Sequence, residues 1–561
     1  MANINMLKKS GMLGYLLLFS LILGGLRDGW FVFPFGVLLL VILFLRCFSY
    51  RDLCFNRKLN IGIGIFAVFA VLSVFTGVSS QDAIVGTLKF MVFVVFLTLL
   101  LQTSKEEKDV VFELIPYFGM LVLVLSALLS LLPYFHNIII NKAGRLSGTF
   151  GYANTFSMLL FVSLVIFMEF TSSDSKNTFN NSMGYLLLGF GILWTGSRST
   201  IILTVIYLLV HMFLGKNKNI VMYLIFLFFV LAIVLYFFFT GSTSGFGRIF
   251  SVFSNSSTLV GREIYNIDGF EQLVRHPFGM GYLGWFFEQG AVQSAPYVTK
   301  VVHNSFLQIG LDFGIVPMIL AIVAAVFMVR YSKTEYRLAL IFVMVHFAFD
   351  LDSEFLGYMF IILLLVDWDR IQLVKAEPNF RFVGILSTTL IGILFVWQSL
   401  FWILAGTNNS KLALRLSPDN VLVENAYMVG LKDIDEASLH AKNIKRIVPN
   451  FGVPYDILAM KYFKDGDYLK MSEEGLLACK YQKYDMEVFD HYVLMQEQAL
   501  MSSGDESVRD KILKDLQSGV DYLYKVKDST NPLSYKTVDA PSFVLSYNTK
   551  SILDKYGIEH Q

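Results

Sequence analysis

The residues best suited to chemistry in this sequence are a histidine and a few arginines that lie on connections between apolar segments. His303 ends a long polar loop, 241–302, and directly precedes an apolar stretch. Its imidazole titrates near neutrality, so it can accept a proton from a hydroxyl group. An ionisable group at the boundary of an apolar segment is a candidate functional residue, and capping of the helix that follows is the structural alternative.

The arginines suit a different task, the binding of phosphate. A guanidinium group offers a planar fork of donors that matches phosphate oxygens, and it stays protonated. Three arginines that converge on one cavity would form a diphosphate site, although each alone could also anchor the chain at lipid headgroups. Arg198 fits the anchor explanation least, because its turn is too short to need a charge. The three are Arg145 in the glycine-rich stretch 144–154, Arg198 in the turn 195–200, and Arg262 in the long loop.

Two acidic residues could support the histidine. Asp312 follows it within the same apolar stretch, and Asp350 opens an acidic cluster with Asp352 and Glu354. A carboxylate close to His303 could tune the pKa of its imidazole, and it could also bind sugar hydroxyls. We expect Asp352 to face water at a loop, whereas Asp350 could serve any of these tasks.

The elements that must position these residues are hydrophobic helices. The chain has 561 residues, of which 55% are hydrophobic and 16% charged, with a mean hydropathy of +0.59. A soluble protein carries about 25% charged residues. Apolar runs recur along the first part of the chain, so we predict an all-α, polytopic membrane protein with about thirteen spans. The predicted spans are 11–26, 29–45, 59–77, 83–101, 112–132, 152–170, 183–196, 199–214, 220–240, 304–328, 337–351, 354–366 and 383–404.

The placement of lysine and arginine predicts the orientation of the spans. Basic residues concentrate on alternate connections, which places the N-terminus inside the cell and loop 241–302 outside. An odd number of spans leaves residues 405–561 outside as well. Their helix–turn–helix punctuation is similar to tetratricopeptide hairpins, although a nondescript helical domain fits equally well. We therefore predict a membrane domain, 1–404, and an extracytoplasmic helical domain, 405–561, that is large enough to fold alone.

Several classes of function have no support in the residues. No basic patch or stacking motif indicates nucleic-acid binding. The three cysteines cannot build a disulfide framework, and no cluster of cysteine and histidine has zinc spacing. No P-loop or cytoplasmic nucleotide domain stands out. We therefore expect neither a metal nor a cofactor.

Three stretches together resemble the O-antigen ligase and O-antigen polymerase (Wzy-type) superfamily of polytopic bacterial membrane glycosyltransferases. They are 145–154 before a span, 195–199 between two spans, and 303–317 after the large loop. The last is the most specific, since the family has a histidine, then a leucine, then an acidic-x-Gly turn that enters a span. Asp312 stands where the family more often has Glu, and Pro317 where a small residue is common.

The resemblance implies a metal-independent enzyme that moves a glycan from a polyprenyl diphosphate, such as undecaprenyl diphosphate, to an acceptor hydroxyl outside the cytoplasmic membrane. Carried over to this chain, it implies that Arg198 and Arg262 bind the diphosphate, that Arg145 assists, and that His303 activates the acceptor. The expected partners are the lipid-linked donor, a glycan or lipid-linked acceptor, and envelope proteins that contact 405–561. Polymerisation of repeat units and ligation of a finished chain both fit these residues.

Two other classes of function are the alternatives. A flippase for lipid-linked oligosaccharide should carry ionisable residues deep in its spans and internal repeats. Here the mid-span charges are scarce, Lys89 and Glu169 being the examples, and we find no repeat. A scaffold that only presents 405–561 to envelope proteins would leave Arg198 unexplained.

Overall fold

The computed structural model describes residues 9–50, 53–171, 178–214, 231, 257–375, 378–537 and 539–560, and most of them lie in helices. The all-α prediction is confirmed for these residues. The one sheet among them is a two-stranded antiparallel pair, Cys54–Phe55 with Val374–Lys375. The described helices are numbered α1 to α24 in chain order below.

Nine helices precede residue 215 in the described ranges, and most are strongly apolar. Polar caps fix where several of them begin, because a side-chain oxygen satisfies an otherwise unpaired backbone N–H. Asn56, Ser79 and Ser104 do this for α3, α4 and α5. The nine are α1 (Gly11–Ile22), α2 (Gly29–Tyr50), α3 (Arg57–Thr76), α4 (Ser80–Leu101), α5 (Lys105–Leu129), α6 (Pro133–Ile139), α7 (Ala153–Thr171), α8 (Thr178–Thr195) and α9 (Arg198–Leu214).

Of the next seven helices, two lie within the long polar loop and five follow it. They are α10 (Ser257–Arg275), α11 (Gly284–Val292), α12 (Ser305–Phe313), α13 (Ile315–Arg330), α14 (Arg337–Phe347), α15 (Leu356–Leu364) and α16 (Pro378–Gly406). The first two lie within the predicted loop 241–302, which is therefore largely helical from residue 257 onward. Residues 241–256 of that loop, and the predicted span 220–240 apart from position 231, lie outside the described residues.

Five of the described helices, α3, α4, α5, α7 and α16, are long and apolar enough to cross a membrane. Four shorter apolar helices are α1, α2, α9 and α13. The core centres on α7, where 83% of the apolar window is buried, while α3 and α16 bury 11% and 17% and lie at the periphery. The chain is thus a helical membrane protein, and the count of about thirteen spans stays a prediction.

The predicted span 304–328 is two helices, α12 and α13, rather than one. The break falls at Gly314, whose φ of 102° lies in the region that favours glycine. The segment directly after α10 crosses the chain at this break, where the amide of Ile315 donates to the carbonyl of Pro277 at 3.0 Å. A Cβ on Gly314 would lie 2.5 Å from that carbonyl oxygen, so the close crossing requires glycine.

The tail beyond residue 406 consists of short helices that pack one against the next. Its helical character was predicted correctly, and its likeness to tetratricopeptide repeats stays a prediction. The helices are α17 (Ser410–Leu416), α18 (Val421–Gly430), α19 (Ile434–Ile447), α20 (Val453–Asp465), α21 (Tyr468–Tyr481), α22 (Met486–Ser502), α23 (Glu506–Ser529) and α24 (Tyr547–Lys555).

The tail shares a hydrophobic core with the outer loop. Phe287 of α11 and Leu283, the residue directly before that helix, are buried against Val421, Met428 and Ile444 of the tail. A polar contact ties the same region to the membrane helices, because the side chain of Asp82 accepts from the amide of Val421 at 3.2 Å. Loop and tail are therefore packed against each other, and the division into domains at residue 404 stays a prediction.

Candidate functional site

Asp350, just after α14, lies at the centre of a buried polar network. Its carboxylate accepts hydrogen bonds from the hydroxyl of Tyr152 at 2.5 Å and from the amide of Asn154 at 2.7 Å. The Arg262 guanidinium lies 3.4 Å from its Oδ2. A buried carboxylate needs such partners, because an unpaired charge away from water is costly. Three segments far apart in the sequence therefore meet at one side chain.

Arg262 reaches this network from α10. Its Nη1 also donates to the carbonyl of Phe349 at 2.7 Å. Burial alone would lower the pKa of the guanidinium, but Asp350 raises the pKa above its ordinary value, so the group stays charged. Its side chain keeps 19% of its surface exposed, which leaves the charge accessible to an anion.

His303 is joined to α10, the helix that carries Arg262, through Tyr265. Tyr265 follows Arg262 by three positions, so both side chains project from one face of α10. The Tyr265 hydroxyl lies 2.6 Å from Nδ1 of His303. Burial raises the pKa of Tyr265, so the phenol keeps its proton at neutral pH. The phenol thus fixes one ring nitrogen of the histidine and with it the orientation of the imidazole.

The electrostatic environment of His303 keeps its ring neutral. Burial, with smaller effects of Arg262 and Arg27, lowers the pKa of the imidazole and Asp350 opposes them, so that the pKa is about 4. The capping alternative is wrong, because Asn304 is the N-cap of α12 and its side chain accepts from the backbone amide of Leu307. His303 is half-buried. Its lowered pKa leaves the imidazole uncharged at neutral pH, and α12 does not need it to begin.

Arg145 is joined to the network through Asn154. Its Nη2 donates to Oδ1 of Asn154 at 2.6 Å, and its Nε donates to the carbonyl of Thr195 at 2.7 Å. Asn154 in turn donates to Asp350. Arg145 thus connects the turn after α8 to the start of α7, and a part in diphosphate binding stays a prediction.

Arg198 is the first residue of α9 and is half-buried. Its neighbour Ser199 contacts Nε2 of His346 at 3.1 Å, and that nitrogen lies 4.0 Å from the Asp350 carboxylate. The turn that carries Arg198 therefore borders the network around Asp350, and a part for Arg198 in diphosphate binding stays a prediction.

The expectation that Asp352 faces water is wrong. Its side chain is fully buried and accepts from Thr155 at 2.6 Å. It also lies 2.6 Å from Nδ1 of His346. The sequence places it on a connection between helices, which is correct, but the connection packs against α7 so that this carboxylate finds partners there.

Asp312 lies away from His303. It accepts from the side chain of Gln308 at 2.8 Å, and the charged groups that act on it are Glu354 and Lys89. Lys89, a mid-span charge, pairs with Glu354 at 2.8 Å. Gln308 also accepts from the backbone amide of Val302, directly before the histidine. Asp312 can therefore position the backbone at His303 through Gln308, rather than tune its imidazole.

The residues of the network that the sequence did not predict are uncharged polar residues. Tyr152, Asn154, Tyr265 and Ser305 hold the charged groups in place, and Ser305 does so by donating to the carbonyl of Asp350 at 2.8 Å. A weak signal was present, since Tyr152 and Asn154 close the glycine-rich stretch after Arg145. Across the described ranges, no group of three or more histidine, cysteine, aspartate or glutamate side chains is placed to hold a metal ion.

Comparison with known proteins bears on the same segment. A family model described as O-antigen ligase matches residues 183–322, which run from α8 to α13 and contain Arg198, Arg262 and His303. The resemblance to the O-antigen ligase and polymerase superfamily is thereby confirmed. No curated protein and no solved structure matches the chain. The family indicates glycan transfer in the assembly of cell-surface polysaccharide.

Proposed function

We propose that this protein transfers a glycan from a polyprenyl diphosphate carrier to an acceptor hydroxyl at the outer face of the cytoplasmic membrane. The observation that carries the proposal is the shared face of α10, which brings the accessible charge of Arg262 and the Tyr265–His303 pair together. A transfer site needs these two things side by side, a cation for the leaving diphosphate and a base for the attacking hydroxyl.

In the proposed reaction, His303 takes the proton of the acceptor hydroxyl as its oxygen bonds to the anomeric carbon of the donor sugar. The bond from that carbon to the diphosphate oxygen breaks, and the diphosphate leaves with the electron pair. In the tautomer whose Nδ1–H donates to the Tyr265 oxygen, Nε2 is unprotonated, and it is the ring nitrogen that takes the proton of the acceptor. Arg262 and Arg198 stabilise the charge that develops on the diphosphate, and Arg145 holds the turn before Arg198.

Donor binding should also prepare the base. An imidazole with a pKa of about 4 is in its basic form at neutral pH but is a weak base. The negative diphosphate would offset the arginines that depress the pKa of His303 and move it toward the working pH. Without donor, His303 thus stays unprotonated. Bound donor raises the pKa of its imidazole and makes it a stronger base.

The pH dependence of the rate tests this role for His303. Protonation removes the base, so activity should fall as the pH drops through its pKa. For purified protein with lipid-linked donor, kcat/KM should fall only near pH 4, because it reports the free enzyme, and kcat should fall at a higher pH. Samples returned to neutral pH control for unfolding. A fall of kcat/KM near pH 6.5, the ordinary pKa of histidine being about 6.5, would contradict the lowered pKa of His303.

The orientation is tested by labelling in intact cells. In a chain whose own cysteines are replaced by serine, Val298→Cys and Tyr547→Cys probe the loop and the tail, since both side chains are more than four-fifths exposed (86% and 87%). We expect an impermeant thiol reagent to label both, because the positive-inside rule places them outside. Glu106→Cys, in the first turn of α5, should react only after permeabilisation. The reverse pattern would place the site on the cytoplasmic side.

A further inference from the structure

A large cavity separates the outer loop from the tail, and none of the residues of the site described above lines it. Its volume is about 1000 Å³. Its walls come from α11 and the loop that follows, from the start of α20, and from the turn between α21 and α22. We call this cavity the loop–tail groove. It is large enough to hold a ligand of several rings, since pockets for small molecules are commonly about 300–1,000 Å³.

Aromatic side chains from both partners line the loop–tail groove. Phe286 and Tyr297 come from the loop, and Phe451, Tyr481 and Tyr484 come from the tail. All five are half-buried, so each presents part of its ring to the cavity. Aromatic rings supply large, rigid contact faces, and tyrosine adds a polar edge.

The remaining lining mixes small apolar residues with polar ones, and the polar ones carry amide, hydroxyl and acidic groups instead of cations. Gln293, Asn425 and Gln482 contribute amides, while Glu487 and Asp539 contribute carboxylates. Oδ1 of Asn425 is buried and has no hydrogen-bond partner among the described residues. No lysine or arginine belongs to the described lining. Such a surface offers both donors and acceptors to hydroxyl groups and repels phosphate.

We infer that the loop–tail groove binds the uncharged part of the glycan, beyond the sugar that reacts. Sugar rings have apolar C–H faces that pack on aromatic rings and a rim of hydroxyls that pairs with amides and carboxylates. The groove provides both. This inference rests on the proposed function, because that function makes a glycan the substrate.

The groove adjoins the transfer site through one tyrosine. The ring of Tyr297 lies 5.7 Å from that of Tyr265, which holds His303. Tyr297 is also fixed by a hydrogen bond of 2.7 Å to Asp268. A glycan in the groove would therefore lie against the same aromatic wall that supports the base.

A peptide is the other occupant to consider, and the lining disfavours it. Peptides bound in extended form pair their backbone with the edge of a sheet. The described lining of the groove consists of helices and turns, without a strand edge. Recognition must then come from side chains, which suits hydroxyl groups better than a peptide backbone.

The test measures binding of the free glycan to the purified full-length chain in detergent. The probe is the glycan released from the lipid-linked donor by mild acid, so it lacks both diphosphate and lipid. We expect wild type to bind it. Val298→Trp, which fills the groove from an 86% exposed position, and Tyr484→Leu should each weaken binding by about tenfold or more. Leu439→Trp, at a 65% exposed position of the tail outside the groove, should bind as wild type does.

Two further results separate this inference from the proposed function. His303→Ala should bind the free glycan normally even though it does not transfer, so failure of the base leaves the groove intact. Wild type that transfers glycan but does not bind the free probe, or Val298→Trp that binds it as tightly as wild type, would overturn the groove assignment. Displacement of the bound glycan by unrelated peptides of similar size would overturn it as well.

Discussion

His303→Ala should lower glycan transfer by about 10²–10⁴-fold while donor binding survives, because general-base catalysis is typically worth that much. The substitution should not disturb the fold, since Asn304 rather than the histidine caps α12. His303→Gln should be nearly as inactive, because an amide can accept a hydrogen bond but cannot take up a proton. The rates are measured with purified lipid-linked donor, and donor binding is measured separately.

Tyr265→Phe is the matched control for this experiment. It keeps the aromatic ring against Tyr297 but removes the hydroxyl at Nδ1 of His303. We expect a smaller loss than for His303→Ala, because the base remains while its orientation is relaxed. Transfer by His303→Ala at the wild-type rate would show that the histidine takes no proton in the reaction.

Arg262→Ala should weaken binding of the lipid-linked donor by about 10–150-fold, the scale of a lost hydrogen bond to a charged group of about 1.5–3 kcal/mol. Arg198→Lys should also lose most activity, because an ammonium group cannot reproduce the planar fork of a guanidinium. If both residues hold one diphosphate, the double variant should lose less than the product of the two single losses. Binding of labelled donor in detergent measures all three variants.

Two controls separate donor binding from folding. Arg275→Ala lies on the same helix with a 63% exposed side chain and should bind donor as wild type does. Arg262→Ala leaves Asp350 buried without its cation, which is destabilising by itself. Arg262→Ala combined with Asp350→Asn removes that charge and should recover folding but not donor binding. Recovery of donor binding in the combined variant would reduce Arg262 to a structural partner of Asp350.

The sequence was informative where local pattern decides the outcome. The apolar runs predicted the helices of a membrane protein, and the polar connections between them singled out His303, Arg198 and Arg262 as candidates. Residue type also singled out Asp350, which lies in the buried network with Arg262, and its role in the site stays a prediction. These features depend on composition and on order along the chain, which a single sequence contains.

The sequence was uninformative where partners come from distant segments. Asp350 binds Tyr152 and Asn154, about two hundred positions earlier, and nothing local to Asp350 indicates those contacts. The same reason explains Asp312, which shares an apolar stretch with His303 but belongs to the surroundings of Lys89 and Glu354. Only the packing of the helices decides which carboxylate meets which cation.

The core shared by α11 and the tail has a consequence for the order of biosynthesis. Phe287 is made well before Val421 and Ile444, its partners in that core. At about 5–20 residues per second, the ribosome needs on the order of ten seconds to supply them. During that interval the apolar face of α11 is not yet buried. The wall of the loop–tail groove beside Tyr297 therefore reaches its final packing only after the tail has been synthesised. A chain that ends before residue 421 would therefore leave the apolar face of α11 exposed to water.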